Sequence, residues 1–191
     1  MSSQIMVTCL LTMFVISFSR TGLTQTVWYV TESGAGTTDG TSWTNATNDL
    51  QEAIDSAKAG DQIWVAAGTY YPTAEFDADG IGVSDNREKT FYINKNIKIY
   101  GGFNGVETAL SQSSDANIVI LSGDIDMVPE GEDYSENSYH VLFIDGTTNP
   151  IDTSCRLEGL TIQLGRALDP PADVSNTYIH EKGAGVYLDG S

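Results

Sequence analysis

The sequence is short of positive charge, with nine Lys and Arg against 26 Asp and Glu and a formal net charge of −17. Binding to phosphate backbones gains free energy by replacing condensed cations with Lys and Arg, so no nucleic acid is expected as a partner and anionic membrane surfaces are disfavoured. Calcium, neutral glycans and cationic partners stay compatible with such a surface, and acidity is also an ordinary solubility device. Cysteine is scarce as well: Cys9 lies in an N-terminal apolar run, so a processed chain keeps only Cys155 and forms no internal disulfide. Stability must then come from packing. The two histidines, His140 and His180, stand too far apart for an HExxH helix or a three-histidine zinc site. There is no Gly-x-Ser-x-Gly nucleophile elbow, and the runs Gly34-Ala35-Gly36 and Gly101-Gly102-Phe103-Asn104-Gly105 lack the Lys-Ser/Thr ending of a phosphate loop. They read as turns.

What the sequence does contain favours strands. Nineteen glycines and nine tyrosines accompany a charged fraction of 18%, a strand-rich and turn-rich balance. The apolar run from Ile5 to Phe18 is too short to span a bilayer comfortably and is followed by small residues, which reads as a secretory signal peptide over residues 1–25, cut between Ser19 and Thr26. The alternative is a buried first strand or helix. Export leaves no transmembrane segment in the mature chain and predicts a secreted or outer-surface location.

Residues 26–61 are expected to hold a strand at Val27-Trp28-Tyr29-Val30, a Gly/Ser/Thr-rich loop and one amphipathic helix. Leu50, Ala53, Ile54 and Ala57 recur at helical spacing behind a capping pattern at Asn48-Asp49, and Gly60 ends the run, so the helix is placed over 49–58. From residue 62 to 191, short apolar runs recur at Ile63–Val65, Ile97–Tyr100, Ile118–Leu121, Val141–Ile144, Leu160–Ile162 and Val186–Leu188. Ile99, Ile120, Val141 and Ile162 follow one another at 21 residues, a spacing that predicts stacked repeats. Several of these runs are apolar on both faces, as buried parallel strands are. No helix of crossover length separates them, which argues against a doubly wound α/β sheet. The 71–89 stretch reads as a loop extruded from one coil, and the single helix is placed to cover the open end of the stack.

The stretch from Trp43 through Leu50-Gln51-Glu52-Ala53-Ile54 and Gly60-Asp61-Gln62-Ile63-Trp64-Val65 to Gly68-Thr69-Tyr70, with Ile99-Tyr100-Gly101-Gly102-Phe103 and Leu121-Ser122-Gly123-Asp124-Ile125-Asp126, resembles the N-terminal cap and first coils of secreted right-handed parallel β-helix repeat proteins of the pectate-lyase-like superfamily. The resemblance implies an all-β solenoid with a short N-terminal capping α-helix. The sequence stops within a coil, at Gly185-Val186-Tyr187-Leu188-Asp189-Gly190-Ser191, and so reads as truncated. One such fold hosts lyases, adhesins and filaments, so activity has to be argued from residues.

The densest polar cluster is Asp124, Asp126, Glu130, Glu132, Asp133 and Glu136. Its spacing fails the EF-hand pattern, and a solvated acidic loop is the plainer reading; if a metal binds, it is calcium, with Asp124 and Asp126 as ligands because they follow an anchored strand. A lyase of this family needs a Lys or Arg base near the sugar proton, and Lys95, Lys98, Arg156, Arg166 and Lys182 lie on or near coils. None is assigned to catalysis. Trp28, Trp43, Trp64, Tyr70 and Tyr71 offer sugar-stacking faces, but packing of the cap onto the first coil accounts for them better. The preferred expectation is a structural, adhesive or glycan-binding solenoid whose partner is a polysaccharide or surface glycan; the alternative is the front end of a calcium-dependent polysaccharide lyase.

Overall fold

The computed structural model describes residues 25–77, 86–127, 134–167 and 184–190. The expected signal peptide lies outside them. In chain order the elements are β1 (Val27–Val30), α1 (Leu50–Ser56), β2 (Gln62–Ala66), β3 (Gly68–Tyr70), β4 (Phe91–Ile93), β5 (Lys98–Phe103), β6 (Val119–Ser122), β7 (Leu142–Asp145), β8 (Arg156–Glu158), β9 (Leu160–Gln163) and β10 (Val186–Asp189). The class is mainly β, with a single α-helix among the described residues. Three sheets form, ordered β1-β2-β5-β8, β3-β6-β9 and β4-β7-β10, and every strand pair in them is parallel. From β2 onward the chain visits the first, second and third sheet in turn, three times over. None of the sheets closes on itself.

Strand alternation sorts side chains to two sides. On the inner side, Ile63 pairs with Ile99 and Ile99 with Leu157 in the first sheet, while Phe91 and Ile93 align with Leu142 and Ile144 in the third. These residues, Val119 and Leu121 of the second sheet, and Leu50, Ala53, Ile54 and Ala57 of the helix form one apolar core. Burial of apolar side chains from all three sheets on one another is the main stabilising term, at roughly 25 cal/mol per Å² removed from water.

The N-terminal edge of each sheet is closed by a different device. β1 adds a strand to the first sheet, and its outer edge is satisfied by Tyr29 N donating to Gly40 O and Thr47 N donating to Tyr29 O. In the second sheet, Thr69 N donates to the Glu32 carboxylate at 3.0 Å. In the third, the buried Gln51 amide pairs with the backbone of Tyr92, accepting from its N–H at 2.8 Å and donating to its C=O at 3.1 Å. The helix that carries Gln51 is capped by Asp49, which accepts from Gln51 N and Glu52 N, and its last carbonyls are held by Lys95 Nζ through Asp55 O and Ala57 O. It ends two residues sooner than its apolar spacing predicts, because Ala57 already has extended backbone.

Two expectations need correction. The 21-residue spacing does not measure one circuit of the chain: Ile99 lies in the first sheet, Ile120 in the second, and Val141 just before β7 of the third. In-register neighbours are 36 residues apart from Ile63 to Ile99 and 58 from Ile99 to Leu157. One circuit contains three strands, and the three-residue strands β3, β4 and β8 are too short to carry a period of their own. The glycines Gly101 and Gly102 are also not a turn. Both lie within β5, where the register against β2 shifts between Trp64 and Ala66 and Gly102 takes φ 92°. Such a bulge needs glycine because a side chain is strained in that conformation.

Candidate functional site

The second sheet hands the chain to the third three times, after β3, β6 and β9, and the described residues that follow these strands are 71–77, 123–127 and 164–167. The acidic segment follows β6. Asp124 is half-buried directly after β6, its N–H donating to Ser122 Oγ at 3.2 Å, whereas Asp126 is exposed. Tyr71 lies within reach of this charge: burial first, then the Asp124 and Glu32 carboxylates, push its hydroxyl above the usual tyrosine range. Glu136 is exposed, and Glu130, Glu132 and Asp133 lie outside the described residues. Among the described residues no group of three or more His, Cys, Asp or Glu is placed to hold a metal ion. Asp124 and Asp126 alone do not make up the six to eight oxygens that calcium takes.

Three of the basic residues, Lys95, Arg87 and Arg156, hold structure. Lys95 caps the helix, and Arg87 donates to Asn137 O and Arg166 O while its guanidinium lies 4.0 Å from the Tyr139 ring centre. Arg156 pairs with Glu158 at 2.6 Å on the surface. Lys98 faces outward beside it in register, and Lys182 lies outside the described residues.

The aromatic residues pack rather than present faces. Trp28 and Tyr70 join the main core, and the Tyr70 hydroxyl donates to Ala66 O. Outside the first sheet, Trp64 stacks on Phe103 with centroids 4.7 Å apart, and Trp43 reaches over Tyr29 at 4.8 Å. Outside the third sheet, Tyr92, Phe143 and Tyr187 form an in-register ladder covered by Phe76 and His140. Tyr92 OH donates to Asp145 Oδ2 at 2.6 Å, and burial followed by this contact pushes its hydroxyl up to about 12.

A groove of about 400 Å³ lies at the corner between the first and second sheets. Its floor is the outward pair Tyr100 and Glu158, neighbours in register on β5 and β8. Its overhang is the 104–118 connection, which contributes Ser113, Ser114, Asp115 and Asn117. That connection is held from within. Glu107 accepts from the backbone N–H groups of Asn104, Gly105 and Val106 at 2.8 to 3.1 Å, and although burial opposes its ionisation, these bonds keep its carboxyl below the usual range. Trp43 Nε1 donates to Glu107 O at 2.8 Å, and the Gln112 side chain accepts from Thr108 N and Ala109 N. Asn117 Nδ2 and Ser114 N both donate to Gly102 O, so the groove wall is tied to the bulge in β5. The result is a preformed polar recess of the size small-ligand pockets have, roughly 300–1,000 Å³.

Sequence reading passed over this groove. Tyr100 and Glu158 are 58 residues apart and meet only because β5 and β8 pair in parallel register. Compared with known protein families, curated proteins and solved structures, the chain matches none.

Proposed function

We propose that the chain is the N-terminal cap and first coils of a right-handed parallel β-helix of the pectate-lyase-like kind, a secreted or surface-exposed solenoid with a structural, adhesive or glycan-binding role. The observation that carries this reading is the threefold recurrence of first, second and third parallel sheet around one core, with the N-terminal edges closed by β1, Glu32 and Gln51. Such a stack gains stability from each neighbouring coil, tolerates long loops at one corner, and offers an extended surface to a partner. Loops from the second sheet to the third and the polar groove between the first and second are where that partner would be met. Acidic charge and the absence of an unengaged Lys or Arg in the groove lining favour uncharged partners over anionic ones. Of the candidate bases for the alternative, the front end of a calcium-dependent lyase, Lys95 is held by backbone and Arg156 by Glu158, while Lys98 faces outward from the first sheet.

The export part is tested by expressing the chain with a C-terminal epitope tag and sequencing the amino terminus of the product. A mature start between Ser19 and Thr26 with the tag outside the cell is expected. Retention in the cytosol with residues 1–25 uncleaved would contradict the reading.

A further inference from the structure

The groove between the first and second sheets has a chemical selectivity of its own, and assigning it rests on the glycan-binding reading above. We infer that it takes neutral, hydroxyl-rich sugar units and rejects uronates and other anions. Its lining contains two carboxylates, Asp115 and Glu158, and no Lys or Arg. One oxygen of Glu158 is engaged by Arg156 at 2.6 Å, which orients the carboxylate and offsets its charge without placing a cation in the lining. An ionised carboxylate accepts hydrogen bonds only, so its match is a pair of neighbouring hydroxyl donors, and charge-assisted bonds of this type are the strong ones. An anionic ligand would add negative charge beside Asp115, which has no cation against it among the described residues, and beside Glu158, whose charge Arg156 already offsets, on a chain of net charge −17.

The remaining lining fits the same ligand. Tyr100 is 6% exposed and packs with Trp64 and Phe103, so its ring is fixed, while its hydroxyl makes no hydrogen bond within the described residues. Leu110, Leu160 and Ile118 edge the recess, and Ile118 is 60% exposed, so the polar floor has an apolar rim. Because Glu107 and Gln112 hold the overhang in place, little ordering entropy is lost on binding. Weak but selective recognition of one or a few sugar units follows.

The test is backbone amide NMR of the protein titrated with four probes: β-1,4-linked glucotetraose, β-1,4-linked mannotetraose and α-1,4-linked glucotetraose as neutral ligands, and α-1,4-linked galacturonotetraose as the anionic one. At least one neutral probe is expected to shift the amides of Ser114, Asn117, Gly159 and Leu160, with galacturonotetraose leaving them unmoved. Glu158→Gln should weaken that binding by about tenfold, and Tyr100→Phe, which keeps the packed ring, by a smaller factor. Unchanged far-UV circular dichroism of both variants separates lost binding from lost folding. Galacturonotetraose shifting the same amides, or neutral binding untouched by Glu158→Gln, overturns the groove assignment and leaves a glycan-binding solenoid standing. Silence of every amide with all four probes overturns the groove assignment, and the export test then decides the solenoid reading by itself.

Discussion

Tyr92 and Asp145 sit on the outer face of the third sheet, and their contact makes stability depend on pH in a stated direction. The Tyr92 hydroxyl is raised from 10 to about 12 by burial and then by Asp145, so the stability it contributes is complete below pH 10 and lost as pH rises through 12. Tyr92→Phe should therefore flatten the fall in unfolding free energy over that interval, measured by urea denaturation at a series of pH values; an unchanged slope would contradict the pairing. Glu107 works in the opposite sense. Its carboxyl lies below the ordinary value of 4.5, so its contribution is present above that pH and lost on acidification through the folded value. Glu107→Gln should make the acid limb shallower and raise hydrogen exchange at Asn104, Gly105 and Val106. Glycine chemistry can be separated by position. A Cβ at Gly101 would overlap the backbone oxygen of Gly159, whereas one at Gly185 would rest 3.6 Å from Ile162 Cγ2. Gly101→Ala should cost on the order of 1–3 kcal/mol or more, and Gly185→Ala should stay within about 0.5 kcal/mol, both read from urea midpoints.

Among the elements, α1 was legible because its apolar residues repeat at helical spacing and Asp49 stands at its start, and the structure uses both features. Strands β1, β2, β5, β6, β7, β9 and β10 were legible to within a residue or two at most boundaries, since each carries a short run of apolar, β-prone side chains. β4, Phe-Tyr-Ile, carries the same kind of local signal and was passed over beside the 71–89 loop; β3 and β8 were not legible, since each has three residues and β8 is Arg-Leu-Glu, with nothing local to distinguish it from a loop. Their formation depends on a neighbouring strand already in place, a tertiary override of weak local preference. The Gln51 amide was equally hidden, being a polar residue on a helix that finds its partner on Tyr92, 41 residues away. Gln51→Ala should leave that backbone N–H and C=O without partners at a cost of about 1–3 kcal/mol and raise exchange at the Tyr92 amide. The middle and the last strand of the third sheet should also respond differently to the same substitution. Leu142, fully buried between β4 and β10, should lose about 2–5 kcal/mol on change to Ala, and Leu188, 57% exposed on the last strand, well under half of that.

For the whole molecule, repetition was visible in the sequence while its period was not. Recurring apolar runs pointed to repeated parallel strands, but the chain visits three sheets in turn through connections of unequal length, so no single spacing describes it. The groove at the first corner has the same origin, being assembled from side chains that only the stacking brings together. Whole-molecule architecture therefore stands or falls on which strands are neighbours. Methyl-labelled nuclear Overhauser spectroscopy reads this directly. Contacts are predicted from Ile63 to Ile99 and from Ile99 to Leu157, with none between Ile99 and Ile120; strong Ile99 to Ile120 contacts, as hairpins joining consecutive runs would produce, would contradict the account.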